Sequence, residues 1–191
     1  MIEFKFNEKK TTQIVSLFIK KEGEKINYMK LIKLLYLADR EALLNWERSL
    51  TGDCYVSMKN GPVLSRVLDI INYGKEAPII MNSHSYWYKY ISEPDKFNVE
   101  LIDNPGVDKL NKKEIDLVDK IYGEFGEFNQ WDLVEICHDI LPEWENVDKT
   151  SKPITIDNIL DVIHKSPEDK QRIEEEVNNI NYAKELLSIE D

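Results

Sequence analysis

Along most of this chain the apolar residues recur with the period of a helix, and in three short stretches they alternate as in a strand. Ile14, Val15, Leu17 and Phe18 form the apolar stripe of a helix over about residues 7–21, and Gly23 stops it. A second helix over about 27–48 has Asn27 as its N-cap. Its middle, Leu31-Ile32-Lys33-Leu34-Leu35-Tyr36-Leu37-Ala38, is apolar nearly all round, which predicts a helix buried on most sides and the spine of the core. Cys54-Tyr55-Val56-Ser57-Met58 alternates and predicts a strand. Asn60-Gly61-Pro62 reads as a turn, with Pro62 in the first position of a helix whose buried face is Val63, Leu64, Val67, Leu68 and Ile71. Gly74 closes that helix, and a loop over about 75–85 follows. Tyr86 to Ile91 and Phe97 to Ile102 read as two strands joined by Ser92 to Lys96.

Beyond the Asn104-Pro105-Gly106 turn the pattern is helical again. Asn111 and Glu114 have the spacing of a capping box ahead of Ile115, Val118, Ile121 and Phe125. Asn129 caps a helix with Trp131, Val134, Cys137 or His138, and Leu141 on its stripe, and Pro142-Glu143-Trp144 turns the chain. Residues 148–154 read as a polar linker. Two helices follow, about 156–164 and 167–187; the second starts at Ser166-Pro167-Glu168-Asp169. Its stripe of Ile173, Val177, Ile180 and Leu187 completes the core or grips a partner. The expected fold is α+β and mainly α-helical. It is one compact domain with a small antiparallel sheet from about 54–58, 86–91 and 97–102. A domain over 1–150 carries a helical extension, 151–191, packed on it.

A chain of 191 residues can bury roughly 70% of its unfolded surface in one core. No apolar run is long enough to span a membrane, and no basic-then-apolar leader opens the chain. Two cysteines, Cys54 and Cys137, are too few for a disulfide framework, so the expected compartment is the reducing cytoplasm. The net charge of −11 is unevenly spread: residues 111–191 hold 9 basic and 21 acidic side chains, whereas residues 1–50 hold 10 and 7. The acidic half repels a phosphate backbone, which makes nucleic acid an unfavoured partner, and attracts a basic protein. Surplus acid also simply keeps a chain soluble.

Few residue sets suit catalysis. The soft or imidazole ligands are Cys54, Cys137, His84, His138 and His164, and none has the paired spacing of a zinc site. Cys137 and His138 are adjacent on a helix, about 100° apart, so they cannot chelate together. A thiol needs a base within reach, and Cys54 beside His138 stays open as a nucleophile pair; packing in the core is the plainer reading of both cysteines. Neither phosphate-binding glycine motif is present, so no cofactor is expected. The spine helix, however, carries Lys33, Tyr36, Asp39 and Arg40. Charges on an apolar helix must be paired or must face a cleft. Asp53, Tyr55 and the Asn60-Gly61-Pro62 turn follow closely as partners. A buried network and a polar groove for a ligand or peptide both fit. Tyr86, Trp87, Tyr88 and Tyr90 share one predicted strand; core packing, protein contact and base stacking all use such rows.

Three separated motifs resemble one family. Lys30-Leu31-Ile32-Lys33-Leu34-Leu35-Tyr36-Leu37-Ala38-Asp39-Arg40-Glu41 is similar to the KLxKLLYLADRE signature of the Panacea domain, or SocA-like antitoxin domain. Thr51-Gly52-Asp53-Cys54-Tyr55-Val56-Ser57-Met58 followed by Gly61-Pro62-Val63-Leu64-Ser65 resembles its TGDxYxAMxxGPVxS stretch, with Ser57 where alanine is common. Tyr122-Gly123, Trp131-Asp132-Leu133, His138 and Pro142-Glu143-Trp144 resemble its close. The resemblance covers about residues 8–148. It implies an antitoxin that neutralises a cognate protein toxin by direct binding, with no catalysis. It also admits an adaptor that delivers the toxin to a protease, or a counter-defence protein of a phage or mobile element. A hydrolase using Cys54 or His138 is the rival from another class. Lys33, Asp39, Arg40, Asp53, Gly61, Pro62, His138 and Trp144 are motif positions, read mostly as keeping the fold, with His138 beside Trp144 as a buried donor. Contact with the toxin is expected from the Tyr86–Tyr90 strand and the acidic helices after residue 111.

Overall fold

The computed structural model describes residues 2–76, 85–148 and 150–186. His84, Leu187 and most of the predicted 75–85 loop lie outside them. Among the described residues there are eight α-helices and two small antiparallel sheets.

The centre is α2 (Tyr28–Trp46), and the side chains of its middle turns are buried on every side, as a helix apolar all round must be. Asn27 caps it, its side chain accepting from the N–H groups of Met29 and Lys30. Helix α1 (Glu8–Glu22) packs against α2 and ends at Gly23, whose φ of 96° is the left-handed conformation that glycine adopts without steric cost. Two further helices, α5 (Lys112–Phe125) and α6 (Gln130–Ile140), also pack on α2. Both begin with capping boxes, Asn111 with Glu114 and Asn129 with Asp132.

The predicted single sheet is corrected in two ways. Tyr86 to Ile91 is not a strand: Trp87–Tyr90 forms the short helix α4, with Tyr86 and Tyr90, four residues apart, in ring contact at 4.8 Å. A run of consecutive aromatics carries no period of its own, and tertiary contacts decide. The Glu8 carboxylate accepts from the Trp87 N–H at 2.9 Å and from the Ser85 hydroxyl at 2.7 Å, which holds the start of this turn. The Phe97–Ile102 stretch contributes β4 (Asn98–Glu100), but it pairs with β1 (Lys25–Asn27), a strand hidden in sequence between two helices. Ile91 makes only an isolated bridge to Leu101.

The second sheet has β2 (Tyr55–Met58) in the middle, between β3 (Gly61–Leu64) and β5 (Lys152–Ile154). Gly61 and Pro62 therefore lie in a strand instead of opening a helix, and Lys59 and Asn60 make the turn. Helix α3 (Ser65–Tyr73) starts only after Leu64. The polar linker of 148–154 likewise contains a strand. Pro62 and Pro153 both sit on edge strands, where a missing N–H breaks no ladder. Helix α7 (Ile156–Asp161) packs on α2, and α8 (Pro167–Leu186) buries Ile173 and Val177.

Candidate functional site

Lys33, Tyr36, Asp39 and Arg40 of α2 go to three different tasks. Asp39 is fully buried and gathers the chain after the helix. Its carboxylate accepts from the Ser49 hydroxyl at 2.8 Å, the Leu50 N–H at 2.5 Å, the Thr51 N–H at 3.3 Å and the Thr51 hydroxyl. Burial pushes its pKa up, and these donors pull it back down. Between them and the next strand lies Gly52, at φ +69°; a Cβ there would sit 2.0 Å from the Lys5 carbonyl oxygen, so only glycine fits. Asp53 then reaches over to α3. It accepts from the N–H groups of Arg66 at 2.9 Å and Val67 at 3.0 Å, and so supplies the N-terminal cap that Leu64 cannot. Burial raises Asp53 to about 6, against the opposing pull of those N–H groups.

Tyr36 and Arg40 both point to Glu143, over a hundred residues along the chain. Arg40 grips it with Nε at 2.7 Å and Nη2 at 3.3 Å, and the Tyr36 hydroxyl donates at 3.0 Å. The Glu143 side chain is wholly buried, which makes this a desolvated ion pair that fastens the end of α6 to α2. Tyr55 packs edge-on against Tyr36 and donates to the Ser49 hydroxyl at 3.2 Å. Trp144, next to Glu143, donates from Nε1 to the Met58 carbonyl at 3.0 Å and stacks on His138 at 3.9 Å. The expectation of His138 as the buried donor is thus reversed: Trp144 donates, and His138 Nε2 is buried with no hydrogen-bond partner among the described residues.

Lys33 differs from its three neighbours. It is 1% exposed, and its ammonium makes one hydrogen bond, to the Pro62 carbonyl at 2.8 Å. Burial lowers its pKa to about 8. Gly61, at φ +90°, passes directly over the amine, and a Cβ there would come within 3.1 Å of Nζ. Facing Lys33 from α6, Cys137 is buried, and burial pushes its thiol up to about 11, away from the thiolate a nucleophile needs. Cys54 is exposed ahead of β2, and among the described residues no hydrogen bond joins it to His138.

The residues from Leu31 to Glu145, which contain this whole hub, match the family described as "Antitoxin SocA-like, Panacea domain". That is more than half of the 191 residues. The chain belongs to this SocA-like antitoxin family. No curated protein and no solved structure matches it. The Panacea signature of this chain now has a physical content: Asp39, Thr51, Gly52 and Asp53 build the corner between α2 and α3, and Arg40, Glu143 and Trp144 bind the close of the domain to its spine.

The aromatic row does not form an exposed face. Trp87 is 1% exposed, in the core, and the Tyr88 hydroxyl donates to the Ile70 carbonyl at 2.5 Å. Tyr86 instead donates to the Pro105 carbonyl at 3.3 Å. The exposed indole is Trp131, at 56%, in the first turn of α6, with Phe128 at 39% just before it. Trp131 was expected on the buried stripe; Leu133, Val134 and Cys137 occupy that stripe instead. Charge gives the signal that marks this region in sequence. From residue 121 to 148 the chain has no Lys or Arg and eight Asp or Glu. Glu135 and Asp139 follow Trp131 at helical spacing and are exposed with it. Among the described residues no helix is long and apolar enough to cross a membrane.

Proposed function

We propose that this chain is an antitoxin that neutralises a cognate protein toxin by binding it directly, without chemistry of its own. Membership of the SocA-like antitoxin family carries the reading. The roles of the polar hub support the non-catalytic part. Asp39 and Asp53 are committed to backbone N–H groups and Glu143 to Arg40, so each carboxylate holds two parts of the fold together. The surface supports the binding part. Tryptophan dominates contact energy at interfaces when a partner covers it, and an acidic rim steers a basic surface toward it. Trp131 with Phe128, beside the exposed Glu127, Asp132 and Glu135 in sequence, has that composition, and suits a toxin whose working groove is lined by lysine and arginine.

Co-expression with the product of the neighbouring reading frame tests this. Growth should be restored by the wild-type chain, and the toxin level should stay unchanged. A Trp131→Ala, Glu135→Lys double variant should lose the rescue while its thermal melting stays within a few degrees of wild type. A fall in toxin level during rescue would support the protease adaptor instead. Absence of rescue would count against an antitoxin.

A further inference from the structure

A cavity of about 230 Å³ lies between α2, the β2–β3 hairpin and α3. Met29, Ile32, Met58, Val63 and Leu68 make its walls mostly apolar. Two lysines line it as well, the buried Lys33 and the exposed Lys59, and no Asp or Glu does. In a chain of net charge −11, a recess with two cations and no anion is a local reversal of sign. The Lys33 ammonium has three protons to donate and uses one, on the Pro62 carbonyl. Among the described residues that line the cavity there is no Asp or Glu to neutralise it, and no carboxylate sets its electrostatics. A buried charge left in this state costs the fold stability that a hydrophobic residue of equal length would not. Gly61 lets the amine lie this close to the hairpin: a Cβ there would come within 3.1 Å of Nζ.

From this geometry we infer that the cavity is a binding site for a carboxylate carried on one compact apolar group, the carboxylate pairing with Lys33 and the apolar body filling the space between Met29, Met58 and Leu68. The volume suits a body of roughly the size of a leucine side chain or a phenyl ring and excludes a drug-sized ligand. This site lies apart from the Trp131 surface and does not depend on the antitoxin reading. Two sources carry the required chemistry: a free branched or aryl carboxylic acid, and the last residue of a polypeptide ending in an apolar side chain.

The test is a titration of the full chain with its methionine methyl groups labelled with carbon-13, because Met29 and Met58 report from inside the cavity. The probes are 4-methylpentanoate, 4-methylpentanol, and an acetylated Gly-Gly-Gly-Leu peptide with either a free or an amidated C-terminus. Saturable shifts of the Met29 and Met58 signals are expected with 4-methylpentanoate, at least tenfold weaker with the alcohol. Lys33→Met should abolish them at least tenfold, with the fold checked by melting. Leu68→Trp, which fills the cavity and keeps the amine, should abolish them too. Shifts with the free peptide but not its amide would assign the site to chain termini; shifts with 4-methylpentanoate alone would assign it to free acids. No saturable shift with any acid, or equal binding of acid and alcohol, would overturn the proposal. So would undiminished binding to Lys33→Met.

Discussion

At the residue scale, a charge placed on a buried helix has to be answered, and Lys33, Tyr36, Asp39 and Arg40 of α2 show how. Asp39 is answered by local donors, Tyr36 and Arg40 by a distant carboxylate, and Lys33 by a single carbonyl. That these side chains had to be paired or face a cleft was legible from the pattern of α2 itself. That Glu143 is the answer for two of them was not, because a partner 103 residues from Arg40 leaves no mark on local spacing. Lys33 gives a signed prediction. Its pKa falls from about 10.5 unfolded to about 8 folded. Between those values the unfolded chain binds a proton that the folded chain has released, so stability rises with pH there. Cys137, facing Lys33 from α6, is raised to about 11 from 9 and opposes this above pH 9. Between pH 8 and 9 the amine acts with little opposition from the thiol. Denaturant unfolding should show the wild type gaining about 1 kcal/mol over that interval relative to Lys33→Met. At pH 7 Lys33→Met should be at least as stable as wild type. Parallel pH profiles for the two proteins would show that Lys33 is not desolvated as described.

At the scale of elements, the caps were readable and the strands were only partly so. Asn27, Asn111 and Asn129 each cap the helix that their position announced, because capping is a contact between residues two or three apart. Strands pair across the chain instead. The partners of β2 and β4 came from segments read as a helix start, a polar linker and an interhelical stretch, and the aromatic run at Tyr86–Tyr90 folded as a helical turn around Glu8. The cap of α3 is a third kind, supplied by Asp53 from before the hairpin. Asp53→Ala should cost about 2 kcal/mol, the upper range for losing a helix cap. Amide hydrogen exchange locates the loss: the Arg66 and Val67 N–H groups should exchange at least tenfold faster, with α5 and α6 unaffected beyond the global change. A uniform loss across the molecule would mean that Asp53 does not act at this helix end.

At the scale of the whole molecule, the family signature and the proposed binding surface separate. The signature residues, spread from α2 to Trp144, make the corner and the clasp of the domain, so their legibility in the sequence follows from the fold they build. The Trp131 surface was only half legible. The acidic charge of the C-terminal half pointed toward it, but the amphipathic pattern put the indole inside, because a tryptophan on a helix weighs as core in any hydrophobic count. Neutralisation by occupancy has a direct signature in stoichiometry. The activity of the purified cognate toxin should be measured against rising amounts of this chain, at toxin concentrations well above the dissociation constant. Occupancy requires a linear fall that ends at a fixed molar ratio, is complete as soon as the proteins have mixed, and reverses when the complex is separated. Inactivation by a small fraction of an equivalent, deepening with time and persisting after separation, would contradict it and make this chain a catalyst.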